Sequence, residues 1–205
     1  YMLPKKVKDS ITERENLVYQ PLPSRPIWVH AASGEIEYAK SVIREIKKLY
    51  PQSNILVTYF SPSGKSFISQ VEGADLFVPL PFDHRSAVSE FLNFYRPICA
   101  LFARTDVWPE LSFQIRQKKI PSLLFSATFS DNSPRLRVPG IWLNRWALNH
   151  LTAIQTVSSE DAQLLFKNRI LAPIEVGGDT RYDQVFHRLQ NPTRAIKFSK
   201  PGLAV

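Results

Sequence analysis

The stretch Trp28-Val29-His30-Ala31-Ala32-Ser33-Gly34-Glu35 indicates the fold of this chain. Its apolar run stops at small residues and a carboxylate. Apolar residues then return at helical spacing, at Ala39, Val42, Ile43, Ile46 and Leu49. This order predicts a strand, a tight turn and a helix, with Glu35 at or near the N-terminus of the helix.

Glu35 has two interpretations at that position. Ligands of open parallel sheets bind in the crevice beyond the carboxyl ends of the strands, where a carboxylate can take a proton from a hydroxyl nucleophile. A carboxylate in the first turn of a helix also opposes the helix dipole, which is worth about 0.3–1 kcal/mol. The spacing alone favours neither interpretation.

The alternation of strand-like and helix-like segments continues along the chain. The predicted strands are residues 27–31, 54–59, 76–78, 98–103, 122–126, 153–156 and 174–176. The predicted helices between them are residues 36–49, 63–72, 85–95, 108–118, 140–150 and 159–168. Strands that alternate with helices imply right-handed crossovers, so we expect an α/β fold with a mostly parallel sheet covered on both faces.

Composition narrows the class of protein. The chain has 205 residues, of which 44% are hydrophobic and 12% aromatic, enough for one well-packed domain or two small ones. The single cysteine, Cys99, argues against a disulfide framework. The sequence contains neither a run of 18 apolar residues nor a recognisable signal peptide.

The net charge of +8 suggests an anionic partner, such as nucleic acid, phosphorylated lipid or a membrane surface. A charge of this size also occurs in small domains where it serves only solubility. The basic residues are scattered, and no zinc spacing or recognition-helix signature accompanies them. We therefore expect no nucleic-acid partner.

Both ends of the chain differ from the regular alternation. Residues 1–25 are predicted as a basic amphipathic helix and a proline-rich connection, and the helix suits either an anionic membrane surface or its own domain. The main domain is predicted over residues 26–183. Residues 184–205 are predicted as a last helix and a linker. Leu203-Ala204-Val205 resembles the start of a strand, from which we expect a second domain after it.

Polar side chains follow several predicted strands, where ligands of such sheets bind. The candidate substrate-binding residues are Ser33 and Gly34, Ser61, Ser63 and Lys65, Arg104 and Asp106, Ser126, and Arg181. Backbone N–H groups and Lys65 at a helix start suit an anion, and the alternative is that Ser61-Pro62 only begins the helix. Arg104 and Asp106 suit either a polar substrate or a buried ion pair, and Ser126 either binds sugar hydroxyls or closes a turn.

Three other strand ends carry residues with predicted local roles. Asp83 is predicted to cap the helix that begins near Arg85, and His84 is a surface or capping residue. Asp106 or Thr105 is predicted to cap the next helix. The pair Gly177-Gly178 permits a positive φ angle or a close approach to a ligand. No metal-ligand cluster stands out from the linear sequence.

Five strings in order along nearly the whole chain resemble one family, the Kdo (3-deoxy-D-manno-octulosonic acid) transferases of lipopolysaccharide synthesis. They are His30-Ala31-Ala32-Ser33-Gly34-Glu35, Phe60-Ser61-Pro62-Ser63-Gly64, Leu80-Pro81-Phe82-Asp83, Asp106-Val107-Trp108-Pro109 and Gly178-Asp179-Thr180-Arg181-Tyr182-Asp183. The resemblance implies a GT-B glycosyltransferase, of which this chain is the N-terminal, Rossmann-like, doubly wound half.

The resemblance also implies a reaction. In the family, the N-terminal domain holds the lipid A acceptor and the C-terminal domain most of the CMP-Kdo donor site. The glutamate that closes the first motif is the proposed general base, and it corresponds to Glu35. A sugar hydroxyl then attacks Kdo, CMP leaves and the configuration inverts. Neither a cofactor nor a metal is implied, and the location is the cytoplasmic face of the bacterial inner membrane.

The chain departs from the family pattern at three positions. Ser33 directly precedes Gly34, where the family has one more residue between them, so the loop that carries Glu35 is shorter. Asp106 replaces the usual glutamate, and Arg104 stands where many members have an acid. An alternative is therefore a non-catalytic Rossmann-like domain that binds anionic lipid or a nucleotide.

Overall fold

Parallel strands form the centre of the molecule. A computed structural model describes residues 5–15, 17–60, 71–130 and 133–190. Its strands are β1 (Ile27–His30), β2 (Ile55–Tyr59), β3 (Leu76–Pro79), β4 (Cys99–Ala103), β5 (Ser122–Ala127), β6 (Ala153–Thr156) and β7 (Ile174–Val176). They form one sheet in the order β3-β2-β1-β4-β5-β6-β7, and every adjacent pair is parallel. The predicted α/β fold is confirmed.

Strand β1 lies in the middle of the sheet, and all four of its residues are buried. Trp28 packs on one face against Phe91 and Phe102, at ring-centroid distances of 4.9 and 5.5 Å. Val29 points to the opposite face and packs in a cluster that contains Ile43. Burial on both faces explains why β1 is a continuous apolar run rather than an alternating one.

Helices cover both faces of the sheet. They are α1 (Lys5–Glu15), α2 (Ile36–Leu49), α3 (Arg85–Tyr95), α4 (Pro109–Gln117), α5 (Gly140–Leu148), α6 (Ser159–Lys167) and α7 (Thr180–Gln190). Apolar residues of α3, α4, α5 and α6 pack in the cluster that contains Trp28, and those of α2 pack on the other face. The helix predicted over residues 63–72 lies almost entirely outside the described residues.

The order of the strands reverses between β1 and β4. Connections after β1 run outward to β2 and β3, and the chain then returns to place β4 on the other side of β1. The loops that leave β1 and β4 therefore separate at the carboxyl edge of the sheet and open a crevice. In doubly wound folds, ligands bind at such a switch point.

Helix α7 begins at Thr180, four residues before the predicted helix start at residue 184. Gly178 adopts a φ of +89°, which turns the chain after β7. The Thr180 backbone N–H donates to Ser126 Oγ (3.1 Å), and its hydroxyl donates to the Tyr38 carbonyl (2.9 Å). These bonds hold the first turn of α7 against β5 and α2, so the helix packs on the sheet domain.

The last turn of α1 packs against the carboxyl edge of the sheet. Buried Arg14 donates from Nε to the Leu80 carbonyl (2.8 Å) and from a terminal nitrogen to the Phe60 carbonyl. The Tyr59 hydroxyl donates to Glu13 Oε1 (3.0 Å). This end of α1 therefore belongs to the domain. No helix within the described ranges has the length and apolar character needed to cross a membrane.

Asp83 does not cap α3, so that prediction is wrong. His84 lies directly before α3 in extended conformation, and its Nδ1 accepts from the Ala87 N–H (3.4 Å). Asp83 is one residue too early, and its carboxylate accepts instead from the N–H groups of Glu110 (3.1 Å) and Leu111 (2.8 Å). It thereby caps α4 from a different loop.

The cap predicted for α4 from Asp106 or Thr105 is also wrong. Trp108 is the N-cap residue of α4, and its side chain supplies no capping hydrogen bond. Pro109 follows at the first helical position, as predicted. The carboxylate of Asp83 supplies the missing acceptor, so Asp106 is available for other contacts.

We expect Asp83→Ala to lower the free energy of unfolding by about 1–2 kcal/mol, because two N–H groups of α4 lose their acceptor. Chemical denaturation of the purified chain measures this loss. Glu90→Ala, which removes an exposed acid from α3, is the matched control and should change the value by no more than about 0.5 kcal/mol. Equal losses in the two variants would contradict the cross-loop cap.

Candidate functional site

Glu35 lies at the switch point of the sheet. A short 3-10 helix, Ser33–Glu35, follows β1 and leads directly into α2. The Glu35 backbone N–H donates to the Ala32 carbonyl (2.7 Å), which closes this turn immediately after the strand. The chain after β4 brings Arg104 and Asp106 to the same edge of the sheet. Glu35 therefore lies where the fold places ligands.

The Glu35 carboxyl group is held in a partly desolvated, electrostatically crowded position. Burial raises its pKa to about 7, and the negative charge of Asp106 adds to the rise. Arg104, a hydrogen bond with the Ala32 backbone and Arg135 oppose it. Among the described residues, no partner forms a hydrogen bond with the buried atom Oε2. A carboxyl group in this state can exchange a proton near neutral pH.

A buried hydrogen-bond chain fixes Asp106. His30 is fully buried at the end of β1, and its Nε2 lies 3.1 Å from Asp106 Oδ2. Its Nδ1 lies 2.8 Å from Thr58 Oγ1, which also accepts from Trp28 Nε1 (2.8 Å). With a neutral imidazole, the Thr58 hydroxyl donates to Nδ1 and Nε2–H donates to the carboxylate. The core of the sheet thus orients Asp106.

Asp106 remains ionised in this environment. Burial opposes its ionisation, but the hydrogen bond from His30 and the positive charge of Arg135 outweigh burial, so the pKa of Asp106 lies below its usual range. Arg135 contacts the outer carboxylate oxygen at 3.3 Å and also donates to the Thr105 carbonyl. A stable negative charge is thereby maintained beside Glu35.

Two arginines flank the ring of Tyr38 in α2. The Arg104 guanidinium lies 5.2 Å from the ring centroid, and that of Arg181 lies 4.6 Å from it. Arg181 also forms an ion pair with Asp179 at 2.6 Å. In the part of the chain that the structure describes, neither Arg104 Nε nor the Tyr38 hydroxyl has a hydrogen-bond partner, although both atoms are buried.

Arg104 is held in an unusual backbone conformation. Its φ of +59° lies in the left-handed region, which costs a residue other than glycine about 1 kcal/mol or more. Its backbone N–H donates to the Phe125 carbonyl (2.9 Å), so the sheet imposes this geometry. This conformation places the Arg104 guanidinium near Glu35 and Tyr38, where its positive charge lowers the pKa of both groups.

The predicted substrate-binding residues separate into distinct groups. Arg104, Asp106 and Arg181 lie around Glu35 and Tyr38. Ser126 is fully buried within β5, and its hydroxyl bonds Thr180 at the start of α7, a contact that belongs to neither of its two predicted roles; both stay predictions. Ser33 and Gly34 form the turn before Glu35. Ser61, Ser63 and Lys65 lie outside the described residues.

Sequence reasoning missed several members of the site. His30 is inside the opening motif and is a single polar residue in a buried run, which is a usable signal. Thr58 and Tyr38 show no such signal, because hydroxyl groups are common in strands and helices. Arg135 follows Asp106 by 29 residues, and only the path of the chain after β5 brings the two together.

Of the two glycines after β7, Gly178 confirms the predicted positive φ, whereas Gly177 is required by close packing against a side chain of this chain. Gly178 has a positive φ, and a Cβ atom on Gly177 would lie 1.8 Å from Gln155 Nε2. Gly34 differs, because its φ is ordinary and a Cβ atom there would meet open space.

A cavity of about 310 Å³ adjoins Asp106. Trp108, Arg135, Leu143 and Asn144 contribute to its lining. The buried Asn144 Nδ2 atom has no hydrogen-bond partner within the described ranges, so it can donate to a ligand oxygen. Within those ranges no cluster of three or more histidine, cysteine or acidic side chains suits a metal ion.

Comparison with protein families matches most of this chain to a known family. The family model of 3-deoxy-D-manno-octulosonic-acid transferase matches residues 9–184, which is most of the chain. The matched range contains Glu35 and the other described residues of the site.

Individual relatives agree with the family model. The chain is 32% identical over 113 residues to a 3-deoxy-D-manno-octulosonic acid transferase of Haemophilus influenzae, covering 54% of this chain and 26% of the relative. It is 30% identical over 159 residues to the transferase of the same name from Rickettsia felis, covering 74% and 33%. The chain thus spans about a quarter to a third of the length of these relatives.

Solved structures support the fold. The UDP-GlcNAc 2-epimerase of Neisseria meningitidis superposes with a TM-score of 0.60 at 17% identity, covering 80% of this chain and 49% of that one. A second UDP-N-acetylglucosamine 2-epimerase gives a TM-score of 0.59 at 15% identity, covering 86% and 53%. At these identities the likeness concerns the Rossmann-like architecture alone.

We expect Glu35→Gln to change how stability depends on pH. The fold raises the pKa of Glu35 from its ordinary value of 4.5 to about 7. The parent protein therefore loses stability as the pH rises from about 4.5 to about 7, because the unfolded chain releases this proton first. Glutamine does not titrate. The stability of the variant relative to the parent should therefore increase by roughly 1–3 kcal/mol between about pH 4 and pH 8.

Denaturant unfolding at a series of pH values measures this difference. Glu45→Gln, which removes an exposed carboxylate from α2, is the matched control and should show little pH-dependent difference from the parent. If the difference in stability between Glu35→Gln and the parent did not change with pH, the pKa of Glu35 would not be raised in the folded protein.

Proposed function

Because this chain belongs to the 3-deoxy-D-manno-octulosonic acid transferase family, we propose that it is the acceptor-binding part of a glycosyltransferase that moves Kdo from CMP-Kdo to a lipid A precursor. The observation that carries the proposal is the Glu35 carboxyl group, which lies at the switch point with a pKa of about 7 and with one oxygen that no described residue hydrogen-bonds. Such a group suits a general base for a sugar hydroxyl.

The proposed reaction is an inverting displacement. Glu35, as the carboxylate, accepts the proton of an acceptor hydroxyl while that oxygen forms a bond to the anomeric carbon of Kdo. The bond from this carbon to the CMP phosphate oxygen breaks, and CMP leaves with the bonding electrons. Because CMP-Kdo carries its own leaving group, the proposed reaction requires no cofactor. General-base assistance of this kind contributes about 10²–10⁴ in rate.

Asp106 acts on this step through Glu35. An ionised Asp106 near Glu35 makes its carboxylate a stronger base, because it raises the pKa of that group. His30 holds Asp106 by a hydrogen bond and Arg135 by an ion pair, and both contacts favour the ionised carboxylate. Asp106 is thus a positioning and tuning residue, while Glu35 touches the reacting hydroxyl.

Arg104 and Tyr38 suit an anionic group close to the acceptor hydroxyl. Both side chains have a buried donor atom that finds no hydrogen-bond partner among the described residues, and both lie near Glu35. A hydroxyl that donates to Glu35 while a neighbouring anionic group accepts from Arg104 and Tyr38 would satisfy all three groups. The phosphates of a lipid A precursor have this chemistry. Arg181 is paired with Asp179, and its guanidinium also contacts the ring of Tyr38.

We place the donor mainly on parts of the full-length protein outside this chain. The relatives are three to four times longer than the part matched here, which leaves room for a second domain that binds CMP-Kdo. A lipid-anchored acceptor requires that the protein work at a membrane, which for this family is the cytoplasmic face of the inner membrane.

We expect Glu35→Gln in the full-length protein to lower kcat about 10²–10⁴-fold, because the acceptor hydroxyl loses its proton acceptor. Release of CMP from CMP-Kdo in the presence of a lipid A precursor measures the rate. Glu45→Gln should retain the parent rate, and binding of the precursor should survive in Glu35→Gln. Undiminished turnover by Glu35→Gln would remove the assigned role.

The pH profile of kcat/KM gives a second test. The parent rate should rise with pH through about 7 as Glu35 ionises. Asp106→Asn removes a negative charge and should move this limb to lower pH, whereas Arg104→Gln removes a positive charge and should move it to higher pH. If the rising limb moved in the same direction in Asp106→Asn and in Arg104→Gln, Glu35 would not be the titrating base.

A further inference from the structure

The cavity beside Asp106 has two buried hydrogen-bond donors in its lining. Asn144, on α5, is only 7% exposed, and its Nδ2 atom has no hydrogen-bond partner among the described residues. The indole Nε1 atom of Trp108 is also buried and, within the same ranges, also has no partner. Both residues line the cavity. Because proteins rarely leave buried donors unpaired, two of them at one cavity indicate a ligand with hydrogen-bond acceptors.

The same cavity also offers a hydrogen-bond acceptor. Asp106 contributes to the lining, and its carboxylate contacts His30 through Oδ2 and Arg135 through Oδ1. An ionised carboxylate has about four lone-pair positions, so it keeps capacity for an O–H group of a ligand. The indole of Trp108 lies close enough to Asp106 to help lower the pKa of that carboxyl group. Donors and an acceptor thus stand side by side.

The charge in the cavity favours a neutral ligand. Arg135 lines the cavity, but its guanidinium is already paired with the Asp106 carboxylate at 3.3 Å. A phosphate or carboxylate group placed here would face the negative charge of Asp106 without a cation of its own. The anionic group of the proposed acceptor is assigned instead to Arg104 and Tyr38. The cavity beside Asp106 therefore serves a different part of a ligand.

Hydroxyl groups match this arrangement, because each can accept and donate a hydrogen bond. One hydroxyl can accept from Trp108 and donate to Asp106, and a second can accept from the Asn144 amide. Other lining residues are apolar, among them Val107 and Leu143, and they suit the C–H groups of a sugar ring. An acyl chain would contact the apolar residues but would leave the buried donors unpaired.

The size and position of the cavity suit a single ring. Its volume of about 310 Å³ lies at the lower end of the range of about 300–1,000 Å³ that is typical of small-molecule sites. Asp106 borders the cavity and also acts electrostatically on Glu35. A ring in the cavity therefore adjoins the place where a hydroxyl would meet Glu35.

We propose that this cavity is a subsite for one neutral sugar ring, in which Asn144 and Trp108 select a ring with hydroxyl groups at the matching positions. That this ring belongs to the acceptor, next to the unit whose hydroxyl reacts, rests on the proposed function. Binding of the ring itself rests on the donors, the acceptor and the charge of the cavity.

The test uses Asn144→Leu in the full-length protein, which nearly keeps the size of the side chain and removes its donor. We expect binding of a soluble two-ring acceptor analogue without acyl chains to weaken about tenfold, because one hydrogen bond of the complex is lost. Binding of the one-ring counterpart should not change. Isothermal titration calorimetry measures both affinities. Asn93→Leu, the same substitution at an exposed position of α3, is the matched control and should bind both analogues as the parent does.

Stability separates a ligand contact from a structural role of Asn144. Since Nδ2 has no partner among the described residues, Asn144→Leu should not lower the free energy of unfolding measured by chemical denaturation. A lower value would assign the amide a partner within the protein and overturn its role toward a ligand. Trp108→Phe keeps an aromatic ring and removes only the indole N–H, so it should also weaken binding of the two-ring analogue.

Turnover gives a further measurement. With the two-ring analogue, Asn144→Leu should raise KM about tenfold and leave kcat within about twofold, because Asn144 binds the ring beside the reacting unit. Equal weakening with both analogues, or no weakening with either, would overturn the subsite. So would displacement of the two-ring analogue by an alkyl chain without a sugar. If the two-ring analogue binds through Asn144 but the protein never releases CMP from CMP-Kdo, the proposed function fails and the subsite stands.

Discussion

The hydrogen bond between His30 and Asp106 is the contact on which the site depends. It joins the end of β1 to the loop after β4, the two elements that separate at the switch point. Thr58 and Trp28 continue the chain of donors and acceptors into the core. Because each member of this chain is buried and satisfied, removal of one leaves its neighbour unpaired at a cost of about 1–3 kcal/mol. The geometry of the site is thus maintained by the same packing that stabilises the sheet.

Opposing effects keep the pKa of Glu35 at about 7. Burial and the charge of Asp106 favour its protonated form, and Arg104 and Arg135 favour the carboxylate. If burial acted alone, the group would remain protonated. If the arginines dominated, it would be a weak base. The balance leaves a carboxyl group that can ionise at physiological pH and still accept a proton strongly, which is the property general-base catalysis requires.

The positions of the strands and helices could be predicted from the sequence, but the side-chain contacts of the site could not. Strand and helix positions follow from apolar periodicity, and the predicted start and end of α2 agree with the structure because its apolar face is strongly periodic. The prediction for Asp83 was wrong because capping rules relate a residue to the helix that directly follows it. The Asp83 carboxylate instead accepts hydrogen bonds from backbone N–H groups of α4, which is distant in the sequence. Arg135 was missed because its partner is distant in the chain. The roles of Ser61, Ser63 and Lys65 stay predictions, and the shorter turn before Glu35 still brings that residue to the switch point.

Thr180 links three parts of the molecule within a single residue. Its N–H and hydroxyl reach Ser126 and the Tyr38 carbonyl, and its own carbonyl accepts from Ser41. The next residue, Arg181, lies against the ring of Tyr38. A displacement of α7 is therefore transmitted directly to the ring that Arg104 also contacts, with no flexible segment between them. The position of α7 and the surroundings of Glu35 at the switch point are thus mechanically coupled through Thr180 and Tyr38.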